Sequence, residues 1–179
     1  MRKLMILAMA LIIAPLMAQE SAGNIVHHYA ARNFIAGNIN KSRLDTVLMA
    51  GVNAPSAMNR QPWRFTVMQD IKLVKQIISD AKDGNILIVV STDSKASNEA
   101  RAVLDCGLAV QSMYLAAQAL GLGSRIYTGP IAAINGRFKN ELPAGYTAVA
   151  LVRIGLVEKT DAVTAASSRK SINEIVTYK

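Results

Sequence analysis

The stretch Asn53 to Phe65, N-A-P-S-A-M-N-R-Q-P-W-R-F, sets hydrogen-bonding side chains into a stiff frame. Pro55 and Pro62 each hold φ at about −65° and remove an amide donor, so neither a helix interior nor a central strand can contain the segment. Ser56, Asn59 and Gln61 supply donors and acceptors, the chain's single tryptophan follows at Trp63, and Arg64 to Met68 has the composition of a strand. A rigid polar loop at a strand entry suits the grip of a flat polar ligand. Other chemistries lack their residues. The two histidines, His27 and His28, are adjacent with no acid at metal-ligand spacing, so no metal site is expected. No nucleophilic triad is visible. Cys106 is the only cysteine, which rules out an intramolecular disulfide, and it reads as an inert core thiol.

The elements that must position this loop follow from periodicity. Ser42-Arg43-Leu44-Asp45 resembles a capping box, and Leu44, Val47, Leu48 and Val52 continue at helical spacing. Beyond the loop, Ile71 to Ala81 predicts a second amphipathic helix through Leu73, Val74, Ile77 and Ile78. Asp83-Gly84-Asn85 is turn chemistry, and Ile86 to Val90 is the unbroken apolar run of a strand covered on both faces. Thr92 to Asn98 reads as loop. Glu99 to Leu120 predicts the longest helix, stopped by Gly121 and Gly123. It is apolar nearly all round and rich in small residues, so it either forms the centre of the monomer or pairs with its own copy across a dimer axis. Tyr146 to Ile154 predicts the last strand, followed by a polar tail. Alternating helices and strands argue for an α/β or α+β sheet fold.

Composition bounds the rest. Arg2 and Lys3 precede an uncharged run from Leu4 to Met17 and a small residue, Ala18. This order predicts an export signal at 1–18, cleaved after Ala18 despite Leu16 at an unfavoured position; a buried N-terminal helix is the alternative. The run falls short of the about 20 apolar residues that span a bilayer. Residues 19–179 suffice for one domain, since domains commonly run about 100–150 residues. The formal charge of +8 falls to +6 (8 − 2) without Arg2 and Lys3, with no long run of like charge and no basic stripe interleaved with aromatics. A site for a small anion uses these basic residues more economically than nucleic acid does.

The loop motif A-P-S-x-x-N-x-Q-P-W before a strand resembles the flavin-contacting loop of the nitroreductase family, and four further stretches extend the resemblance along residues 28–170. His28-Tyr29-Ala30-Ala31-Arg32-Asn33-Phe34 is similar to the family's R-R-S-x-R-x-F, in which the leading Arg and Ser hold phosphate and ribityl groups and the last basic residue faces the flavin pyrimidine. Arg32 and Phe34 match; His28 stands at the first Arg and Ala30 at the Ser. Asp105 to Gly123 resembles the interface helix with its A-x-x-L-G-L-G ending. Tyr127-Thr128-Gly129-Pro130 resembles the turn whose backbone lies by the hydride-accepting nitrogen of the ring. Ser167-Ser168-Arg169-Lys170 resembles the C-terminal basic pair at the phosphate, with Ser167 where a Lys is frequent. The Asn/Lys pair that many relatives place between the second helix and the next strand has no clear counterpart, and 92–98 is too short for a helical lid.

The resemblance implies an α+β, nitroreductase-like mixed sheet flanked by helices in an obligate homodimer. It implies FMN as cofactor, held by His28, Arg32, Pro55, Ser56, Asn59, Thr128, Gly129 and Arg169, with the loop residues serving the partner's flavin. No side chain is expected to act as a catalyst of its own. Electrons would pass from an unknown reduced donor to a nitroaromatic, quinone or similar flat acceptor. The alternatives are a non-catalytic flavin-binding or scaffold dimer, and the same fold running another reductive reaction such as dehalogenation. Export to the periplasm would remove the protein from the cytoplasmic nicotinamide pool.

Overall fold

The computed structural model describes residues 22–23 and 25–179; the expected export signal at 1–18 lies outside the described residues. The central strand, β3 (Ile86–Asp93), is buried from Ile86 to Thr92. Alternate side chains serve two cores, as the two-residue strand period requires. Ile86, Ile88 and Val90 face one core with Leu44, Val47, Ala109, Val110 and Met113. Leu87 and Val89 face the other with Val74, Ile134, Phe138 and Leu142. The sheet is thus a middle layer. Helices α1 (Lys41–Val52) and α3 (Ala100–Ala119) cover one face, and α2 (Ile71–Ile77) and α4 (Ile131–Asn135) cover the other.

Among the described residues five strands make the sheet: β1 (Phe34–Ile35), β2 (Trp63–Met68), β3, β4 (Gly123–Tyr127) and β5 (Tyr146–Val157). β5 is the hub. It pairs with β3 along one edge and β4 along the other, and it takes β1 at its far end, Phe34 opposite Val157. β2 lies outside β3, with Phe65 opposite Val90. This is the α+β architecture of helices on an extensive sheet. Every pairing among the described residues is antiparallel, so the parallel pair of a mixed sheet would have to come from outside the described chain. Two short helices, α5 (Asp161–Ala165) and α6 (Ile172–Ile175), end the chain.

Several boundaries differ from the sequence reading. The N-cap of α1 is Asn40, whose side chain accepts from the Arg43 amide at 2.9 Å, while Asp45 pairs with Lys41 on the exposed face. The Ser42 box therefore does not form. Helix α2 stops at Ile77, where Ile78 turns extended and Asp80 is drawn into a side-chain network. α3 ends as expected at Gly121, in a Schellman arrangement. Gly121 takes φ +70°; its amide donates to Gln118 O at 2.8 Å and that of Leu122 to Ala117 O at 2.9 Å. Of the two roles considered for α3, the monomer core takes one face, through Ala102, Cys106, Ala109, Met113 and Ala117. The other face, Val103, Leu104, Gly107 and Leu108, is exposed, with Leu104 at 63%.

Candidate flavin site

The extended segment from His28 to Asn33 is pinned from three sides. Gln118 on α3 accepts from the Tyr29 amide at 3.1 Å and donates to its carbonyl at 2.8 Å. The Ala31 amide donates to Ser124 O at 3.0 Å. Fully buried Asp161 accepts from the amides of Arg32, at 3.1 Å, and Asn33, at 2.6 Å. Burial, then the Asp161 carboxylate, push the Tyr29 phenol up from its ordinary value. With the backbone fixed, His28 and Ala30 line one cavity and Arg32 stands at its edge.

The C-terminal segment shares that cavity, which measures about 260 Å³ and is lined by His28, Ala30, Ala165, Ser167 and Arg169 among others. Arg32 reaches its wall through a hydrogen bond from Nη2 to Ser167 Oγ at 3.3 Å. His28 is oriented twice: its Nδ1 lies 2.6 Å from Ile25 O, and its ring stands edge-on to Tyr114 with centroids 5.5 Å apart. Since a carbonyl only accepts, Nδ1 carries a proton. Arg169 folds back so that Nη1 donates to Ser167 O and Ser168 O at 3.2 and 3.3 Å. Burial raises the Tyr114 phenol, opposed by Gln118 and by the charge of Arg169.

The Pro-rich loop is strained and internally bound. Met58, Asn59 and Gln61 take φ of +54°, +53° and +47°, a left-handed region that only asparagine among the three visits readily. Besides its backbone turns, side-chain bonds hold it: the Gln61 amide donates to Ser56 Oγ at 3.0 Å, Gln61 Nε2 to Asn59 Oδ1 at 2.9 Å, and the Ala57 amide to Asp105 Oδ1 at 3.1 Å. Trp63 is buried beneath it. Ser56 and Asn59 spend acceptors on the loop and keep their O–H and N–H groups as donors, the polarity that the carbonyls of a flat heterocycle require.

The structure gathers His28, Arg32 and Arg169 at one place and leaves the loop elsewhere. The loop docks on α3 at Asp105, while the cavity meets α3 at Tyr114 and Gln118, about 14–20 Å further along at 1.5 Å per residue. Pro55, Ser56 and Asn59 therefore do not join the cavity of their own chain. Thr128 and Gly129 lie exposed at the end of β4, where Thr128 O accepts from the Ile131 amide at 3.2 Å. A Cβ built on Gly129 would meet no atom within 4 Å, so nothing in this chain demands glycine there and the backbone is open to approach from outside.

Sequence reasoning missed Asp161 and Gln118, which position Arg32 and Tyr29. It also missed Arg153, whose signal was a charge in the middle of an apolar strand. Arg153 is fully buried. It donates to Asn85 Oδ1 at 2.8 and 3.0 Å, to Asp80 Oδ1 at 3.0 Å and to Tyr127 Oη at 3.3 Å, and it stacks on Phe34 at 4.0 Å. Asn85, 1% exposed, is thus a strut between strands through its Oδ1. Lys82 lines a neighbouring cleft of about 280 Å³ with Arg32, Phe34, Asp80 and Arg153. Among the described residues, Arg32 and Lys82 supply donors that would fit a flavin's ring end, whereas at the phosphate end Arg169 is the one permanent cation lining the cavity.

The Nitroreductase family model matches residues 25–86 and 79–156. A protein of Archaeoglobus fulgidus described as a candidate NADH dehydrogenase/NAD(P)H nitroreductase is 36% identical over 94 residues, 48% of this chain and 54% of that one. A protein of the same description from Methanothermobacter thermautotrophicus is 33% identical over 93 residues, 48% of each chain. The match thus spans about half the length of these curated relatives. Among solved structures, a candidate nitroreductase from Desulfovibrio desulfuricans in complex with FMN has a TM-score of 0.73 at 28% identity, covering 89% of this chain and 96% of that one. A nitroreductase with bound FMN from Desulfitobacterium hafniense has a TM-score of 0.74 at 24% identity, covering 89% and 98%, and shares the fold. With the family pattern running through both the pinned N-terminal segment and the interface helix, the chain belongs to the nitroreductase family.

Proposed function

We propose that this protein is an FMN-dependent oxidoreductase, working as a homodimer, that passes electrons from a reduced donor to a nitroaromatic, a quinone or a similarly flat acceptor. The observation that carries this reading is the convergence of His28 and Arg169 on one cavity whose Ser167 wall also receives Arg32. It is supported by 28% identity to a relative solved in complex with FMN.

FMN, when bound, supplies the two-electron chemistry, and the protein supplies position and electrostatics. Arg32 would sit beside the pyrimidine edge and favour the negative charge that grows there on reduction. Asp161 holds the Arg32 backbone so that this cation is placed before reaction begins. Arg169 would meet the phosphate, and the donors of Ser56 and Asn59 would serve the site of the partner subunit. Gly129 leaves backbone at the ring unobstructed. The short segment 92–98 leaves the acceptor face open, which suits broad acceptance of flat molecules.

We read residues 1–18 as a cleaved export signal and the mature protein as periplasmic, so its donor is a reductant other than the cytoplasmic nicotinamide pool. The test is a titration of the purified protein with FMN, followed by anaerobic reduction and addition of acceptors. A perturbed visible spectrum at about one FMN per subunit, with reoxidation faster than that of unbound FMN, is expected. Binding without faster reoxidation would favour the alternative, a flavin-binding or scaffold dimer, which His28 and Ala30 at the usual Arg and Ser positions already motivate.

A further inference from the structure

FMN and riboflavin differ by one phosphate, and the two ends of this site are unequally equipped for that difference. At the phosphate end the proton on His28 Nδ1 is committed to Ile25 O at 2.6 Å. With Nδ1 committed, a single ring nitrogen, Nε2, is left to meet an anion. Ala30 has no polar side-chain atom. Ser167 Oγ accepts from Arg32 and turns its hydroxyl toward Ala165 O at 3.4 Å. Arg169 remains, exposed, with one of its terminal nitrogens already bound to its own backbone. The rest of the wall is His27, Tyr29 and the apolar Val26, Ala162, Ala165 and Ala166. A phosphate dianion entering this cavity leaves water for one lining guanidinium that is already partly committed, while Arg32 spends Nη2 on the Ser167 wall, and a charge that loses solvation without full partners is disfavoured. The ring end has no such shortage, with Arg32, Lys82 and the loop donors.

Resting on the flavin reading above, we propose that the site takes its flavin by the ring end and does not select for the phosphate, so that riboflavin is a ligand comparable to FMN. One exposed charge-assisted contact sustains a preference of no more than about tenfold. His28 is the residue that sets this specificity: an arginine there would present a permanent charge and a fork of donors where the histidine has one uncommitted ring nitrogen.

The test is a pair of titrations of the full-length protein, followed by the quenching of flavin fluorescence, with FMN and with riboflavin at neutral pH. Dissociation constants within about tenfold of each other are expected. FMN tighter by more than that would overturn the inference and leave the flavin reading standing; binding of neither would overturn both. The His28→Arg variant gives the second arm. It is expected to tighten FMN binding by about tenfold or more and to leave riboflavin unchanged. Equal tightening of both ligands, or of neither, would overturn the role given to His28.

Discussion

Arg169 and Cys106 show how differently two single side chains relate to this fold. Arg169 is exposed and tied only to its own segment, so its removal disturbs no core. Arg169→Ala should abolish whatever preference for FMN over riboflavin exists, weakening FMN about tenfold while riboflavin binding and the melting temperature stay unchanged. Titration of both flavins against wild type and variant measures this. Cys106 is the reverse case: burial pushes its thiol up from its ordinary value of 9.0 to about 11, against a smaller opposing effect of the Thr92 hydroxyl. The folded protein should not react with a thiol reagent at pH 8, and the unfolded protein should. Because the folded value is the higher, the folded state keeps a proton that the unfolded chain releases. The contribution is complete below pH 9 and is lost as pH rises to about 11. Denaturant unfolding should therefore lose stability more steeply over that range in wild type than in Cys106→Ala.

At the scale of elements, the Pro-rich loop stores strain at the place where a ligand contact is proposed. Met58 takes a left-handed conformation with its side chain 71% exposed, so it contributes little packing to offset that conformation. Met58→Gly should raise unfolding stability by about 1 kcal/mol, read from chemical denaturation, because glycine takes this φ without penalty. An unchanged or lower stability would mean that the side chain holds the loop through its exposed face. The elements most legible in the sequence were those decided locally. Ile86 to Val90 is apolar at every position because helices cover both faces of β3, and the end of α3 is written in Gly121. The least legible boundary was the end of α2, where Arg153, far along the chain, takes both the carboxylate and the carbonyl of Asp80. The site behaves likewise. The rigid loop could be read from its prolines, whereas the meeting of His28 with Arg169 depends on β5 and α5 and was accessible only through family resemblance. Asp161 gave no local signal at all, since its partners are backbone amides near the other end of the chain.

For the whole molecule, the apolar surface on α3 asks for a cover. Val103, Leu104 and Leu108 are exposed on the face opposite the core, and a Cβ at Gly107 would meet nothing within 4 Å. Such a strip between small residues allows close approach of a second helix. The C-terminal residues Ile172, Ile175, Val176 and Tyr178 are exposed as well. Under the proposed homodimer these surfaces meet the partner, and the distance along α3 between the Pro-rich loop and the His28 cavity is spanned by a second subunit. Leu104→Glu, at a position 63% exposed, should then convert the dimer to a folded monomer with weakened flavin binding, measured by light scattering, circular dichroism and flavin titration. A variant that retains the dimer mass would remove this face from the interface.

Asp161 joins what the chain order keeps apart. Its carboxylate receives the amides of Arg32 and Asn33, and the Glu158 amide donates to Asn33 O at 3.1 Å. Neither the opening segment nor the closing one can leave the sheet without breaking the bonds of the other. The two ends therefore form a single clasp that opens as one cooperative unit, and amide protons at 32, 33 and 158 should exchange with solvent at a common rate. Loss of that clasp would carry away Arg32, His28 and Arg169 together, so occupancy of the cavity and order in the segments 28–33 and 158–169 are one equilibrium seen from two sides.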